Sequence, residues 1–476
     1  MADIRFGTDG WRAVIGEDFT FRNLHRVAHA TAEWVLAQSP AAPKVVVGYD
    51  TRFLGRSFAE YAARVLASAG IEVLLPESFV PTPAVSWATR EFGCAAGIVI
   101  TASHNPPEYN GFKLKADFGG PLLPDGIAEV EARIPADDDI LPAPKPLDML
   151  RRSGGIIAQD FTTGYLDCLR SRLDIKAIRA SGLRVAHDAM FGAGQGVFTE
   201  LLGAGQVAAL RSTHNPGFGG QPPEPIECNL EMLSEAVVAE GCAAGIANDG
   251  DADRVALFDE RGRFVDSHTL LALLVRYLHK DLGMSGRVVK AFSSTSIIDR
   301  MAEAYGLPVE TTRIGFKYIA GHIVKGDVLL GGEESGGIAA QGHIPDRDGL
   351  YIGLLVMQMM AQRGKQLSEL VAELHDEFGA QAYRRIDFRT TDAKKAGILE
   401  RLRKGDGPEA IAGSAVLRVD PFDGFKHHVE GGWLLVRPSG TEPLLRVYAE
   451  AETPERAHAL ILDAADQLGL PVPQEG

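Results

Sequence analysis

Short apolar runs alternating with helical patterns recur through about the first 375 residues of this 476-residue chain. Residues 44–49 (Lys-Val-Val-Val-Gly-Tyr) form one run, the Ala-rich stretch 57–69 has helical character, and 71–75 form the next run. Runs of this length between turn residues predict strands, and their alternation with helices predicts parallel or mixed sheets covered on both faces. A chain this long exceeds a single core and predicts three or four domains. The rhythm breaks at the Pro- and Asp-rich residues 135–146, which read as a linker, and restarts at 183–188. It continues through 255–258, 287–291 and 328–330 to a long helix at about 349–362, and changes after Phe378. The expected fold is α/β, with three successive mixed-sheet domains at 1–148, 149–259 and 260–377 and a smaller C-terminal α+β domain at 378–476.

With 48 basic against 63 acidic residues the net charge is −15, which argues against a nucleic-acid binder. The same charge means that an anionic ligand must be held by a local basic pocket. The four cysteines, Cys94, Cys168, Cys228 and Cys242, form no CxxC pair and predict free thiols in a reducing compartment. The opening Met1-Ala2-Asp3-Ile4-Arg5 has no apolar core of a secretory signal, and no run reaches about 18 apolar residues. A cytoplasmic protein without membrane association is expected, as a monomer or a dimer.

Four segments carry chemistry. Thr101-Ala102-Ser103-His104-Asn105-Pro106 follows the apolar run 95–100, so Ser103 is expected at a strand end, where open α/β sheets build their sites. Asn248-Asp249-Gly250-Asp251-Ala252-Asp253-Arg254 follows the apolar run 243–247. Three carboxylates at alternate positions in a curled loop offer hard oxygen ligands that suit Mg²⁺. An EF-hand is excluded by Arg254 at the sixth loop position, where glycine is needed, and by strand patterns on both sides. Gly331-Gly332-Glu333-Glu334-Ser335-Gly336-Gly337 combines close backbone approach with side chains able to bind sugar hydroxyls. Arg437-Pro438-Ser439-Gly440-Thr441-Glu442 combines arginine, hydroxyls and backbone N–H groups, which suits a phosphate dianion. Gly192-Ala193-Gly194-Gln195-Gly196 lacks the dinucleotide spacing, no P-loop occurs, and His427-His428 reads as solvated.

In this order the four segments resemble the α-D-phosphohexomutase superfamily, as does the opening Phe6-Gly7-Thr8-Asp9-Gly10-Trp11-Arg12. The resemblance spans nearly the whole chain and implies four domains around a central cleft. It implies that Ser103 carries the phosphoryl group and that Asp249, Asp251 and Asp253 bind Mg²⁺ together with an oxygen on Ser103. His104, Lys113 and Lys290 would assist proton transfer and charge balance, with Arg12 and Arg254 lining the same cleft. Glu333 and Ser335 would contact sugar hydroxyls, with Arg347 in the following loop. Arg437, Ser439, Gly440 and Thr441 would hold the non-reacting phosphate of a hexose phosphate substrate. A hexose 1,6-bisphosphate would be both intermediate and activator.

Two departures bear on the sugar. Many dual glucose/mannose enzymes resemble Gly-Glu-Met-Ser-Gly-His at the hydroxyl loop, whereas this chain ends it in Gly337, and Arg347 stands where several phosphoglucomutases have lysine. Phosphoglucosamine mutases usually begin the serine segment with serine, and here it begins with Thr101. The expectation is a phosphoglucomutase, with phosphomannomutase or dual specificity as the alternative and phosphoglucosamine mutase or a non-catalytic sugar-phosphate sensor behind them.

Overall fold

The computed structural model describes residues 4–7, 9–38, 42–137, 139–439 and 444–471. It forms two compact units, one of Met1–Val289 with Gly315–Leu370 and one of Lys290–Ile314 with Val371–Gly476.

In the first unit, the leading sheet runs in the order Trp11–Val14, Tyr109–Ala116, Ala96–Ile100, Lys44–Tyr49, Glu72–Leu75, Ile156–Ala158. It is mixed: Lys44–Tyr49 is parallel to both neighbours, and Tyr109–Ala116 is antiparallel to both of its own. Val45, Val46 and Val47 are all fully buried. That explains a continuous apolar run in place of alternation, since helices cover both faces of a central parallel strand. A second sheet has the order Phe264–Val265, Val255–Asp259, Ala244–Asn248, Val185–Asp188, Val207–Leu210. Further on, Val328–Gly332 pairs with Ile338–Ala340 as an antiparallel hairpin.

Three features depart from the expected boundaries. Ile156–Ala158 joins the first sheet beside Glu72–Leu75, beyond residue 148. Phe264–Val265 joins the second sheet, beyond residue 259. Strands of three and two residues are too short to leave a periodic signal. Third, the helix Gly349–Arg363, capped by Asp348 and ended by Gly364 at φ 61, belongs by sequence to the third domain but packs on the second sheet. A Cβ on its Gly353 would lie 2.9 Å from Ile246 in strand Ala244–Asn248. The helix is buried without a break from Gly349 to Met360, as an all-round apolar helix must be. The 135–146 segment has no helix or strand among its described residues, and Arg26 and Arg64 hold it through the carbonyls of Pro135 and Lys145.

The second unit is built on an antiparallel sheet, Ala382–Arg389, Leu444–Ala451, Gly432–Pro438, Phe425–Val429, Arg418–Asp420. Side chains alternate between faces along a strand. Leu434 and Val436 therefore pack with Leu460 and Ile461 of helix Pro454–Gln467, while Trp433 and Leu435 meet Phe292 and Tyr448 on the other face. Glu450 accepts from Trp433 Nε1 at 3.0 Å and from the Ser296 N–H at 3.0 Å. Lys426 Nζ donates to the Phe292 carbonyl at 2.9 Å and sits 3.8 Å from the Trp433 ring centre. Burial, then the nearby Lys290 charge, brings its pKa down to about 7. His427 is buried in the sheet and its Nδ1 lies 3.1 Å from the Phe425 carbonyl, so the solvated reading of the His427-His428 pair is corrected. The alternation around it places that ring inward.

No helix among the described residues is long and apolar enough to cross a membrane. Ile98, fully buried in the strand that delivers Ser103, is a test of this core. Ile98→Ala should lower the unfolding free energy by about 2–5 kcal/mol, read as a shift in the denaturant midpoint of the first transition.

Candidate active site

Ser103 follows strand Ala96–Ile100, all five residues of which are buried. Its φ of +52° is left-handed, an unusual conformation for a residue with a Cβ. Two groups hold it there. The Thr101 hydroxyl accepts the Ser103 N–H at 2.8 Å. The buried Arg52 guanidinium donates to the carbonyls of Ser103 (2.7 Å), Asn105 (2.5 Å), Pro106 (2.8 Å) and Tyr109 (3.0 Å). Arg52 in turn lies 3.4 Å from Asp50, whose carboxyl burial pushes up to about 6. The serine loop is thus wound around one planar cation.

The Ser103 hydroxyl donates to Asp249 Oδ2 at 2.6 Å, whereas His104 Nδ1 lies 3.4 Å away. Asp249, Asp251 and Asp253 occupy the turn between antiparallel strands Ala244–Asn248 and Val255–Asp259, closed by Asn248 Nδ2 on the Arg254 carbonyl at 2.8 Å. One oxygen from each carboxylate lies within 4.8 Å of the others, and all three residues are buried. Asp251 Oδ1 and Asp253 Oδ1 carry no hydrogen bond. Leaving buried carboxylate oxygens unmatched is costly, so this hard, all-oxygen set fits a divalent cation of the magnesium type. Burial, then the charges of Asp251 and Asp253, holds the Asp249 pKa well above the ordinary carboxylate range.

The remaining oxygens face cations. Lys113 Nζ, fully buried, lies 2.8 Å from Asp9, 2.8 Å from Asp251 and 2.9 Å from Asp253. Burial would lower its pKa, but the three carboxylates outweigh that and raise it. Burial likewise works to raise Asp251, and Lys113 with the Thr82 hydroxyl reverses the effect. Thr82 opens helix Thr82–Glu91 and binds Asp251 with its N–H (2.9 Å) and hydroxyl (2.6 Å), so the positive helix end meets the acidic loop. Arg347 pairs with Asp9 and, at 2.7 Å, with Asp253. Its neighbours Asp346 and Asp348 are tied down as well, to Lys115 at 2.6 Å and to Tyr165 at 2.8 Å. Arg347 therefore ties the acidic loop to Asp9.

Arg12 donates to Asn105 Oδ1 at 2.7 Å, and Arg254 approaches Asp253 at 4.0 Å. Burial, then Arg254 and Arg12, holds His104 well below its usual pKa, so the imidazole is neutral at pH 7. Glu333 follows strand Val328–Gly332 and accepts the Gly315 N–H at 2.8 Å. Burial, then the Glu334 charge, raises its carboxyl to about 7. Ser335 is half-buried in the same turn. In the second unit, Lys290 binds Asp299 at 2.6 Å, Arg437 lies 3.2 Å from Asp423, and the Ser439 N–H donates to Leu444 at 3.1 Å. Gly440 and Thr441 lie outside the described residues.

Asp9, Asp50, Arg52 and Thr82 escaped the sequence reading. The polar run Asp50-Thr51-Arg52 directly after the strand Lys44–Tyr49 was a usable signal, because strand ends of such sheets carry sites. Thr82 left none. The glycine-rich 192–196 stretch gains a purpose: a Cβ at Gly192 would lie 2.7 Å from the Asp249 carbonyl, and Ala193 N–H donates to Gly250 at 2.9 Å.

Profiles of the phosphoglucomutase/phosphomannomutase family match four stretches in succession: alpha/beta/alpha domain I at 3–140, domain II at 163–262, domain III at 266–378 and the C-terminal domain at 388–467. The chain belongs to this family, within the α-D-phosphohexomutase superfamily. A phosphoglucomutase/phosphomannomutase of Thermococcus kodakarensis is 32% identical over 95% of each chain. A phosphoglucosamine mutase of Moorella thermoacetica is 34% identical over 94% of each. The crystal structure of a protein described as a putative phosphomannomutase from Thermus thermophilus has a TM-score of 0.85 at 36% identity, covering 98% of this chain and 99% of that one.

Metal binding is testable without turnover. At a hundredfold excess over its dissociation constant, Mg²⁺ should stabilise the folded protein by about 2.7 kcal/mol. A thermal melt should rise accordingly, and Asp253→Asn should flatten that response.

Proposed function

We propose that the chain is a phosphoglucomutase that interconverts α-D-glucose 1-phosphate and glucose 6-phosphate through phosphorylated Ser103 and a 1,6-bisphosphate. The observation that carries this reading is the 2.6 Å contact of the Ser103 hydroxyl with Asp249, beside two buried carboxylate oxygens left for a cation. A hydrolase-like Ser–His pair would put the shorter contact on the imidazole, and here it is the longer one.

Asp249, Asp251 and Asp253 would hold Mg²⁺, with an oxygen on Ser103 as a further ligand. The ion would neutralise charge on the phosphoryl group as it transfers. Ser103 keeps that group at a fixed point, because Arg52 holds its loop and the backbone at Ser103 has little freedom. In the forward half-reaction the bond from phosphorus to Ser103 Oγ breaks and a bond to the sugar's free hydroxyl oxygen forms. The hydroxyl proton leaves to the neutral imidazole of His104, which returns a proton to Ser103 Oγ, 3.4 Å from its Nδ1, as the serine is released. Arg12, Arg254 and Lys113 offset the charge of the incoming phosphate, which a chain of net charge −15 would otherwise repel. Glu333 and Ser335 would read sugar hydroxyls. Arg437, Ser439, Gly440 and Thr441 would hold the non-reacting phosphate, and Lys290 would assist charge balance. The bisphosphate then returns its other phosphoryl group to Ser103, which is why a trace of it activates.

Gly337 supports glucose over mannose. A Cβ there would lie 2.4 Å from Arg347 Cδ, so a histidine at this position would require the Arg347 side chain to shift. Phosphoglucosamine mutase is the second reading, raised by the Moorella relative and opposed by Thr101. The experiment compares kcat/KM for the 1-phosphates of glucose, mannose, glucosamine and N-acetylglucosamine, with Mg²⁺ and a trace of hexose 1,6-bisphosphate. Glucose 1-phosphate should be the best substrate, and a better rate with any other sugar overturns the preference. Ser103→Ala should lose at least about three decades of rate, as removal of a covalent nucleophile does. Near-normal turnover in that variant would exclude the phosphoserine route.

A further inference from the structure

Asp423 lies outside every motif discussed above, yet it touches the arginine of the phosphate-binding segment. Its Oδ2 accepts from Arg437 Nε at 3.2 Å and from the Ile314 backbone N–H at 2.8 Å. Both side chains of the pair are only 17% exposed. The contact is built into the backbone. Gly424 has φ +102°, and a Cβ there would lie 2.6 Å from the Val436 carbonyl and 3.2 Å from Arg437 Cβ. No other residue type lets this turn press so closely on strand Gly432–Pro438, and the turn sets Asp423 beside Arg437. Arg437 is also the strand partner of Arg446, which places two cations side by side. A carboxylate on one of them relieves that repulsion.

We infer that Asp423 is a positioning residue that fixes the plane of the Arg437 guanidinium for the substrate's non-reacting phosphate. A carboxylate bound edge-on at Nε settles the rotation of the group, while the paired terminal donors of an arginine are what a phosphate reads. The Ile314 N–H holds the carboxylate itself. Ile314 is the last residue of its segment in the second unit, and Gly315, with φ +132° and its N–H on Glu333, begins the return to the first. Asp423 thus anchors the phosphate arginine to the end of that segment. The opposite sign is also physically conceivable: a carboxylate that merely cancelled the arginine's charge would weaken phosphate binding, and its removal would tighten it. The single contact at Nε, in place of a two-pronged pair, favours positioning.

The inference rests on the reading of Arg437 as a phosphate contact, and a double-mutant cycle separates the two. Steady-state kinetics with glucose 1-phosphate would be measured for Asp423→Asn, Arg437→Ala and the double variant. Asn keeps an oxygen for the Ile314 N–H and removes the charge. Loss of one charge-assisted contact should raise KM about tenfold with kcat within about threefold. Asp423→Glu, which keeps the charge, should recover KM to within about threefold of the parent. The double variant should match Arg437→Ala within about twofold, because a residue acting through another adds nothing once that other is gone. An unchanged or lowered KM in Asp423→Asn, or effects that multiply in the double variant, would overturn the positioning role while leaving Arg437 in place. A normal KM in Arg437→Ala would overturn both.

Discussion

A buried ammonium among three carboxylates holds the first unit together. Lys113 sits on the strand next to one edge of the leading sheet, and its partners come from residue 9 and from the turn of the second sheet. Removing one member would leave charges buried and unpaired, which is far more costly than an exposed pair. Arg347 doubles the arrangement from a third segment, and Asp346 and Asp348 secure the segment that carries it. Three domains are therefore fastened at the point where the phosphoryl group would transfer.

The same cluster divides the aspartates. Their Oδ2 atoms face Lys113, Arg347, Thr82 or Ser103, and the Oδ1 atoms of Asp251 and Asp253 stay unmatched. Asp249 differs, because its Oδ1 accepts the Arg254 N–H at 3.1 Å. Asp249 has no lysine of its own, and burial, then the charges of Asp251 and Asp253, raises its pKa. The Ser103 hydroxyl is hydrogen-bonded to this same aspartate, so the serine and the acidic loop are directly linked.

Much of this was legible in the sequence where local pattern and chemistry coincide. The run 95–100 ends at Ser103, and the run 243–247 ends at Asp249, because a parallel-type strand must be apolar throughout and its loop is where polar groups can first appear. What escaped is what tertiary contact alone decides. Thr82 is an ordinary helix opener until Asp251 arrives 169 residues later. Arg52 reads as a surface charge until four carbonyls of the serine loop close around it. Arg347 follows the hydroxyl loop in sequence, and only the fold shows that its guanidinium turns to Asp253. The helix Gly349–Arg363 announces burial by its composition but not the sheet that buries it.

The second unit has an implication for how such chains can be recombined. By sequence its C-terminal part looks like a detachable cassette beginning near residue 378. Yet Glu450 takes its hydrogen bonds from Ser296, and Lys426 takes its carbonyl partner from Phe292, within the earlier segment Lys290–Ile314. A cut at residue 378 would expose the aromatic face of the sheet and strand both charged groups. Exchange of this part between relatives must carry two separate pieces of the gene, one for residues 290–314 and one for the C-terminal part.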